Sequence, residues 1–327
     1  MAINLLALEG NKVSRDLSGY VTLIYGPPKI GKTTFASKMT SPLVVATELG
    51  YSAIPGIIAQ DVSTWGEIRQ VYKELKKPEV KKRFKSIIID TVDLAADFCQ
   101  KYICQQLGIE SMGEGGWTNN SWSRYKKEFE EVFRSIAQLG YSVVFLSHDK
   151  EKTIKPQNGN EYQQIGSSMQ TSALTIIENM CDIIAYAHPK VMSDGSTTRI
   201  LTLRSLDNSI RCGSRFRYME SEIPFSYEAL TEALNRAIDK EAEETNNQFI
   251  TNERQKPTEA TTYDYDKLIE VFNKTTDEIM KRDSSAAPKV KVIIERYLGK
   301  GKKVSETTPD QAEFIYLIIN DLKDELL

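Results

Sequence analysis

The stretch YVTLIYGPPKIGKTTFASKM, running from Tyr20 to Met39, restricts the fold more than any other part of the chain. An apolar, β-branched run ends at Tyr25, a glycine-bounded loop follows, and helix-forming residues resume after Gly31. Gly26, Gly31, Lys32 and Thr33 satisfy the spacing G-x-x-x-x-G-K-[ST] in the strand–loop–helix context that gives this spacing its meaning. Glycines there allow the backbone to wrap a phosphate, and the helix start adds positive potential. The candidate phosphate-binding residues are Gly26, Pro27, Pro28, Lys29, Ile30, Gly31, Lys32, Thr33 and Thr34. Lys32 is expected to reach the β- and γ-phosphates, and Thr33 to hold Mg²⁺ through its hydroxyl. The expected cofactors are therefore ATP and Mg²⁺.

Four further apolar runs read as strands: LVVAT from Leu43, SIIID from Ser86, SVVFLS from Ser142 and DIIAYA from Asp182. Segments of helical period lie between them, such as TWGEIRQVYKELKK and RYKKEFEEVFRSIAQLG. Alternating strands and helices predict an α/β fold with a mostly parallel sheet covered on both faces. TRILTLRSLDNSIRCGSRFRY is rich in β-formers and predicts an antiparallel extension of that sheet, followed by a helix starting near Ser226. After Glu241 the composition turns polar, and helical periodicity returns only from Tyr263. The expected division is a core over 1–240, a polar linker over 241–262, and a small helical module over 263–327.

With 40% hydrophobic and 27% charged residues, the composition is that of a globular protein. No run approaches the roughly 18 apolar residues of a membrane span, and the first residues show no export signal. Cys99, Cys104, Cys181 and Cys212 form no C-x-x-C pair, which argues against zinc and fits a reducing compartment. The expected location is the cytoplasm. Up to Lys240 bases outnumber acids by two, whereas the remainder is acidic by five. An acidic tail thus masks a mildly basic body, and the net charge of −3 leaves nucleic acid open as a partner.

Several polar residues close the predicted strands, where an open parallel sheet presents its ligand crevice. Asp90 ends SIIID and is the expected second metal anchor opposite the loop. Asp93 reads as a cap for the helix that follows. Glu48, after the second strand, is placed to orient and polarise an attacking water; a solvated strand-end glutamate is the alternative. Ser147 and His148 close the fourth strand, where His148 can sense a γ-phosphate or simply be a hydrogen-bonded structural histidine. His188 reads as structural.

The order of these features resembles RecA-type ATPases. YGPPKIGKTTFASK, SIIIDTV, VVFLSHDKE and GSRF resemble, more closely, the phage nucleotide-binding ATPases, a group that includes RecA-like single-strand annealing proteins. The resemblance spans about Val21 to Asp239 and implies a RecA-like core, ATP with Mg²⁺, single-stranded DNA as partner, and self-assembly into a ring or filament. By position it gives Glu48 the water-activating role and Ser147 and His148 the sensor role. RecA itself carries an amide there, so His148 departs from RecA while fitting the phage group.

DNA contacts are expected from the polar segment after His148, read as a long loop, in which Lys150, Lys152 and Lys155 meet phosphates and Tyr162 stacks on a base. Trp117 and Trp122 are a second candidate contact, with core capping the preferred reading. Arg211, Arg215 and Arg217 recur at period two, the spacing of one strand face, and Arg215 is the expected catalytic cation offered to a neighbouring subunit's site. The function expected from all this is ATP-dependent binding and annealing of single-stranded DNA. The alternatives are an ATP-switched loader that docks a single-strand-binding or other replication protein through the C-terminal module, and a P-loop nucleotide kinase. Lys32→Ala should sharply weaken ATP-dependent function while leaving the circular-dichroism spectrum of the wild type, because it removes charge from the phosphates and not packing. Unchanged nucleotide affinity would overturn the loop assignment.

Overall fold

The buried strands alternate their side chains between two separate apolar layers, and that alternation builds the molecule. The computed structural model describes residues 10–17, 19–114, 120–156, 159–245, 249–253 and 263–327. Strands β1 (Val13–Ser14) and β2 (Val21–Tyr25) lead into the short helix α1 (Lys32–Ala36). Then come β3 (Pro42–Ala46), β4 (Ala59–Asp61), α2 (Trp65–Leu75), α3 (Pro78–Arg83), β5 (Ser86–Asp90) and α4 (Val92–Leu107). Helix α5 (Ser121–Gln138) precedes β6 (Ser142–Ser147), β7 (Asp149–Ile154), β8 (Tyr162–Ser167) and α6 (Thr171–Met180). Strands β9 (Ile183–Val191), β10 (Thr197–Thr202), β11 (Gly213–Ser214) and β12 (Glu222–Pro224) lead to α7 (Tyr227–Thr245) and β13 (Ile250–Thr251).

Nine strands form one sheet in the order β12-β10-β9-β2-β6-β5-β3-β4, with β11 also paired to β9. Strands β2, β3, β4, β5, β6 and β9 run parallel to their neighbours among themselves, and β10, β11 and β12 extend the sheet antiparallel. This is a RecA-like α/β fold, with the loop-bearing strand β2 in mid-sheet. β2, β5 and β6 are buried at every position, as parallel strands covered on both faces must be. Ile87, Ile89, Val143 and Phe145 point to a layer with Trp65, Phe129 and Phe133; Ile88, Val144 and Leu146 point to the layer of Phe35, Leu230 and Leu234. Local signals set the helix starts: Thr64 and Glu67 make a capping box on α2, and Ser226 Oγ accepts from Ala229 N at the start of α7 (3.0 Å).

Two expectations change. The segment read as a polar linker from residue 241 begins inside α7, which continues to Thr245 and buries Ala242. Ile250 and Thr251 then pair in parallel with Val13 and Ser14. Polar composition masked both because an amphipathic helix end and a two-residue strand need few apolar positions. The rest of that linker, 246–248 and 254–262, lies outside the described residues, as does Trp117. The second change is the long loop after His148, which folds as an antiparallel hairpin of β7 and β8. Lys150, Lys152 and Ile154 recur at a period of two on β7, but polar residues between them and on β8 leave no apolar alternation to read.

The chain separates into two compact units, 1–259 and 260–327. The second contains α8 (Tyr265–Arg282), α9 (Ala287–Leu298) and α10 (Ala312–Leu326) around a core that includes Phe272, Ile279, Ile293, Ile315, Ile318 and Leu322. A chain ending at Glu259 should therefore unfold cooperatively near the wild-type melting temperature of the first unit. One ending at Glu241 loses β13 and the burial of Ala242 and Ile250, on the order of 2 kcal/mol, and should melt about 4–8 °C lower. Equal melting temperatures for the two truncations would show that β13 contributes nothing.

Candidate phosphate-loop site

The parallel register brings the chemically useful residues to one edge. Tyr25 pairs with Ser147 and Tyr186, Asp90 with Leu146, and Ala46 with Asp90, so the loop, both candidate carboxylates and His148 all leave the same end of the sheet. The loop runs tight against β9: a Cβ on Gly26 would lie 2.2 Å from the carbonyl oxygen of Ala187, an overlap that only glycine avoids. Gly31 has φ 110°, the second position where a side chain is excluded, and Lys29 also adopts positive φ, 65°.

Within this loop Lys32 is buried, and its Nζ donates to the carbonyls of Gly26 (2.7 Å) and Pro27 (3.0 Å). Burial lowers the pKa of its ammonium, while the nearby Asp90 opposes that shift. Thr33 Oγ1 donates to Asp90 Oδ2 at 2.6 Å, which joins the two expected metal ligands from positions far apart in sequence. Asp90 is itself buried, and burial raises its pKa; Glu48 pushes it further up, against the Thr33 hydrogen bond and Lys32. A desolvated carboxylate and a hydroxyl in contact, beside a buried ammonium and a glycine cradle, fit a hydrated divalent cation with phosphate oxygens.

Glu48 is held by Thr91, whose Oγ1 donates to Glu48 Oε1 (3.0 Å). Thr91 is in turn fixed to Thr47, whose Oγ1 accepts from Thr91 N (2.7 Å) and donates to Thr91 O (3.0 Å). His148 Nε2 lies 3.5 Å from Glu48 Oε1, and its Nδ1 is buried without a partner. Glu48, Asp90 and His148 thus converge as read from the sequence.

Ser147 does not share the partial exposure of Glu48 and His148. It is fully buried, and its Oγ contacts Asp93 Oδ1 (3.0 Å), Ser167 Oγ (2.6 Å) and His148 O (3.0 Å), which makes it an internal tie and not a phosphate-facing sensor. Asp93 is likewise not the cap of α4: Thr91 occupies that position, and Asp93 Oδ1 accepts from Ser147 and Ser168 instead. Three serines and one aspartate so join α4, the end of β6 and the foot of the hairpin.

The arginines need the largest correction. Arg215 follows β11, which pairs with the beginning of β9, at the sheet edge opposite the loop. Its guanidinium donates to Asp182 Oδ1 (3.0 Å) and Asn179 O (2.9 Å). Arg211 pairs with Glu178 and Arg217 with Glu244, so the three do not share one strand face. The arginine beside the loop is Arg199 on β10, whose Nη1 donates to Ile30 O at 3.0 Å. It lies next to Phe225, which stacks on Phe35 of α1 with ring centroids 5.2 Å apart. No spacing rule links Arg199 to a loop 169 residues away; only the antiparallel extension brings it there.

On the hairpin, Ile154 pairs with Tyr162, Lys152 with Gln164 and Lys150 with Gly166. Opposed residues share a face, so Lys150, Lys152 and Tyr162 lie on one side. Lys155 instead pairs with Glu161 (2.7 Å) near the turn. Trp122, itself exposed, sets its ring edge-on to the buried Tyr125 at 5.9 Å. His188 stacks on Tyr186 and bonds Thr202 Oγ1 (2.9 Å), a structural role. Among the described residues, no helix is long and apolar enough to cross a membrane.

The chain is similar to several known proteins. The SPbeta prophage-derived uncharacterized protein YorG of Bacillus subtilis (strain 168) is 27% identical over 334 residues, spanning all of this chain and 99% of that protein. Among solved structures, the chain is similar to the KaiC-like protein PH0186 of Pyrococcus horikoshii OT3, at 14% identity over 64% of this chain and 86% of that one, with a TM-score of 0.38. It is similar also to the RadB recombinase, at 18% identity over 65% and 90% of the two chains, with a TM-score of 0.38. The model of the AAA domain family matches residues 18–211, which carry the loop, Glu48, Asp90, His148 and the hairpin. With more than half its length so matched, the chain belongs to the AAA domain family, as a P-loop NTPase of RecA-like fold.

Proposed function

We propose that the protein is an ATPase that binds single-stranded DNA and handles or anneals it in phage recombination or replication. The observation that carries this reading is the β7–β8 hairpin. It rises directly from His148 at the nucleotide edge, turns Lys150, Lys152 and Tyr162 to one face, and is tied at its foot to Asp93, three residues beyond Asp90. Lysines and an aromatic ring on one face match what a single strand offers, namely spaced phosphates and unstacked bases. The prophage origin of the Bacillus relative supports the phage setting and a cytoplasmic location in the host.

In this reading ATP lies in the loop 26–34, with Thr33 and Asp90 holding Mg²⁺. Bound Mg²⁺ supplies Lewis-acid polarisation of the phosphate oxygens. Lys32 exchanges its two loop carbonyls for phosphate oxygens, and Glu48, oriented by Thr91, accepts the proton of the attacking water. His148 reports on the γ-phosphate through its contact with Glu48. Arg199 holds the outer side of the loop at Ile30, a role in loop geometry that needs no second subunit. Self-assembly into a ring or filament remains part of the proposal. A second reading, an adaptor or loader, draws on the separate compact unit at the C-terminus, which is suited to hold a partner.

Three measurements test this. Glu48→Gln should still bind ATP but hydrolyse it about 10²-fold or more slowly, the range of general-base assistance. Wild-type turnover in that variant would move the water-activating role elsewhere. Lys150→Ala with Lys152→Ala should keep basal hydrolysis but lose stimulation by single-stranded DNA. It should also lower the slope of log affinity against log salt by about 1.4, at 0.7 per phosphate contact. Stimulation that survives both substitutions, or is absent in the wild type, would count against DNA as the partner.

Asp90→Asn gives a test with opposite signs. A carboxyl whose native pKa is raised contributes stability at low pH, and that contribution is lost as pH rises through the carboxylate range toward its native pKa. At neutral pH the ionised Asp90 therefore costs stability, and asparagine removes the charge while still accepting from Thr33. The ligand-free variant should melt above wild type, whereas the further stabilisation by Mg²⁺ and ATP should vanish. A ligand-free melting temperature below wild type would contradict this account of the buried charge.

A further inference from the structure

The C-terminal unit carries a groove that its own chain leaves unfilled. It lies between α8 and α9, has a volume of about 630 Å³, and is floored by Ile269, Phe272, Val290, Ile294 and Val304. Its rim is cationic, with Lys291, Lys302 and Lys303 among the lining residues. We propose that this groove is a docking site for an acidic peptide segment of a partner protein, whose apolar side chains enter the groove while its carboxylates meet the three lysines.

Charge accounts for the choice of occupant. Between Lys289 and Lys303 there are six lysines and arginines against a single glutamate. Arg296 is satisfied within the unit by Asp321 (2.6 Å) and Glu325 (2.7 Å). Lys302 and Lys303 make no ion pair among the described residues, and Lys291 reaches Glu295 only at 3.8 Å. That glutamate is already engaged, because its Oε1 accepts from Gly301 N at 2.8 Å. The rim therefore holds positive charge that the unit does not neutralise, bordering apolar surface that it does not cover. The volume is in the range that accommodates a few side chains of a bound segment.

A nucleic acid fits the same charges less well. The floor is aliphatic, and its one aromatic ring, Phe272, is buried, so no exposed face is available for base stacking. The lysine-bearing turn also offers no cradle of free amides, since Gly301 N is committed to Glu295 and Lys302 N to the carbonyl of Gly299 (3.2 Å). An apolar floor with a cationic rim favours a peptide that is apolar on one side and acidic on the other.

The inference rests on reading the C-terminal unit as a docking module, and it is independent of how the core handles DNA. The test uses the full-length protein and two fluorescein-labelled peptides, EELFEEILEE and its neutral counterpart QQLFQQILQQ, with anisotropy as readout at low salt. The acidic peptide should bind at least tenfold more tightly than the neutral one. Lys291→Glu, Lys302→Glu and Lys303→Glu together should abolish that preference, and Ala287→Trp, at the groove's edge, should weaken both peptides by filling it. All three lysines and Ala287 are exposed, so neither variant removes core packing. Basal ATP hydrolysis should stay at the wild-type rate in both, which separates a failed docking site from a failed ATPase reading. Absence of saturable binding to the acidic peptide, equal binding of the two peptides, or a preference that survives charge reversal would overturn the proposal. So would an oligo-dT affinity that the reversal lowers tenfold while peptide binding is unchanged, since that would make the surface a nucleic-acid contact.

Discussion

The ligand edge depends on one parallel register. Because Tyr25 pairs with Ser147, and Ala46 with Asp90, strands of different origin end at one level, and their terminal residues face the loop between Gly26 and Lys32. A slip of one residue would turn every buried side chain to the opposite layer, so the two apolar layers lock the register. The contact between Thr33 Oγ1 and Asp90 Oδ2 at 2.6 Å follows from that lock. So does the 3.5 Å approach of His148 to Glu48.

At that edge the protein keeps charges under tension. Lys32 is desolvated against two carbonyl oxygens, and Asp90 is desolvated beside another carboxylate, so burial works against the charged form of each. Hydrogen-bonded to neutral groups, they are groups to which a phosphate and a cation would bring counter-charge at contact distance. The glycine at 26 serves the same end by passing close enough to β9 to keep the loop carbonyls facing Lys32. Arg199 and Phe225 brace the loop from outside, and neither needs to touch a ligand to matter for its shape.

The hairpin is coupled to this edge by hydroxyls as well as by the packing of Ile165 on the core. Ser147 and Ser168 both reach Asp93, and Ser167 joins them through Ser147, so one carboxylate sits between the helix that follows Asp90 and both strands of the hairpin foot. Hydroxyl networks of this kind rearrange at little steric cost, unlike interdigitated aliphatic side chains. Tyr25 adds a second link: its ring stacks on Tyr186 at 5.0 Å, and its hydroxyl donates to the backbone of Arg211 (2.9 Å) beside β8. The residue that precedes the phosphate loop thereby touches the support of the hairpin.

Local order was legible in the sequence. The strands, the loop of 26–34, Asp90, Glu48 and His148 could be read because each follows from a short-range rule, either an apolar run, a glycine spacing or a polar residue closing a strand. The separate C-terminal helices were legible for the same reason, through their periodicity. What depends on residues distant in the chain was not. Arg199 reaches the loop only through the antiparallel extension, Arg215 is drawn to Asp182 at the far edge, and Ser147 is turned inward by Asp93 and Ser167. The hairpin and the Val13–Ile250 pairing were hidden because short, polar strands carry little apolar period and take their stability from partners elsewhere. Hydrophobic pattern and loop spacing therefore determined the RecA-like α/β core and its nucleotide edge. Tertiary structure alone decided which charges face that edge, because the partner of each long side chain is chosen by pairings that close only when the sheet is complete.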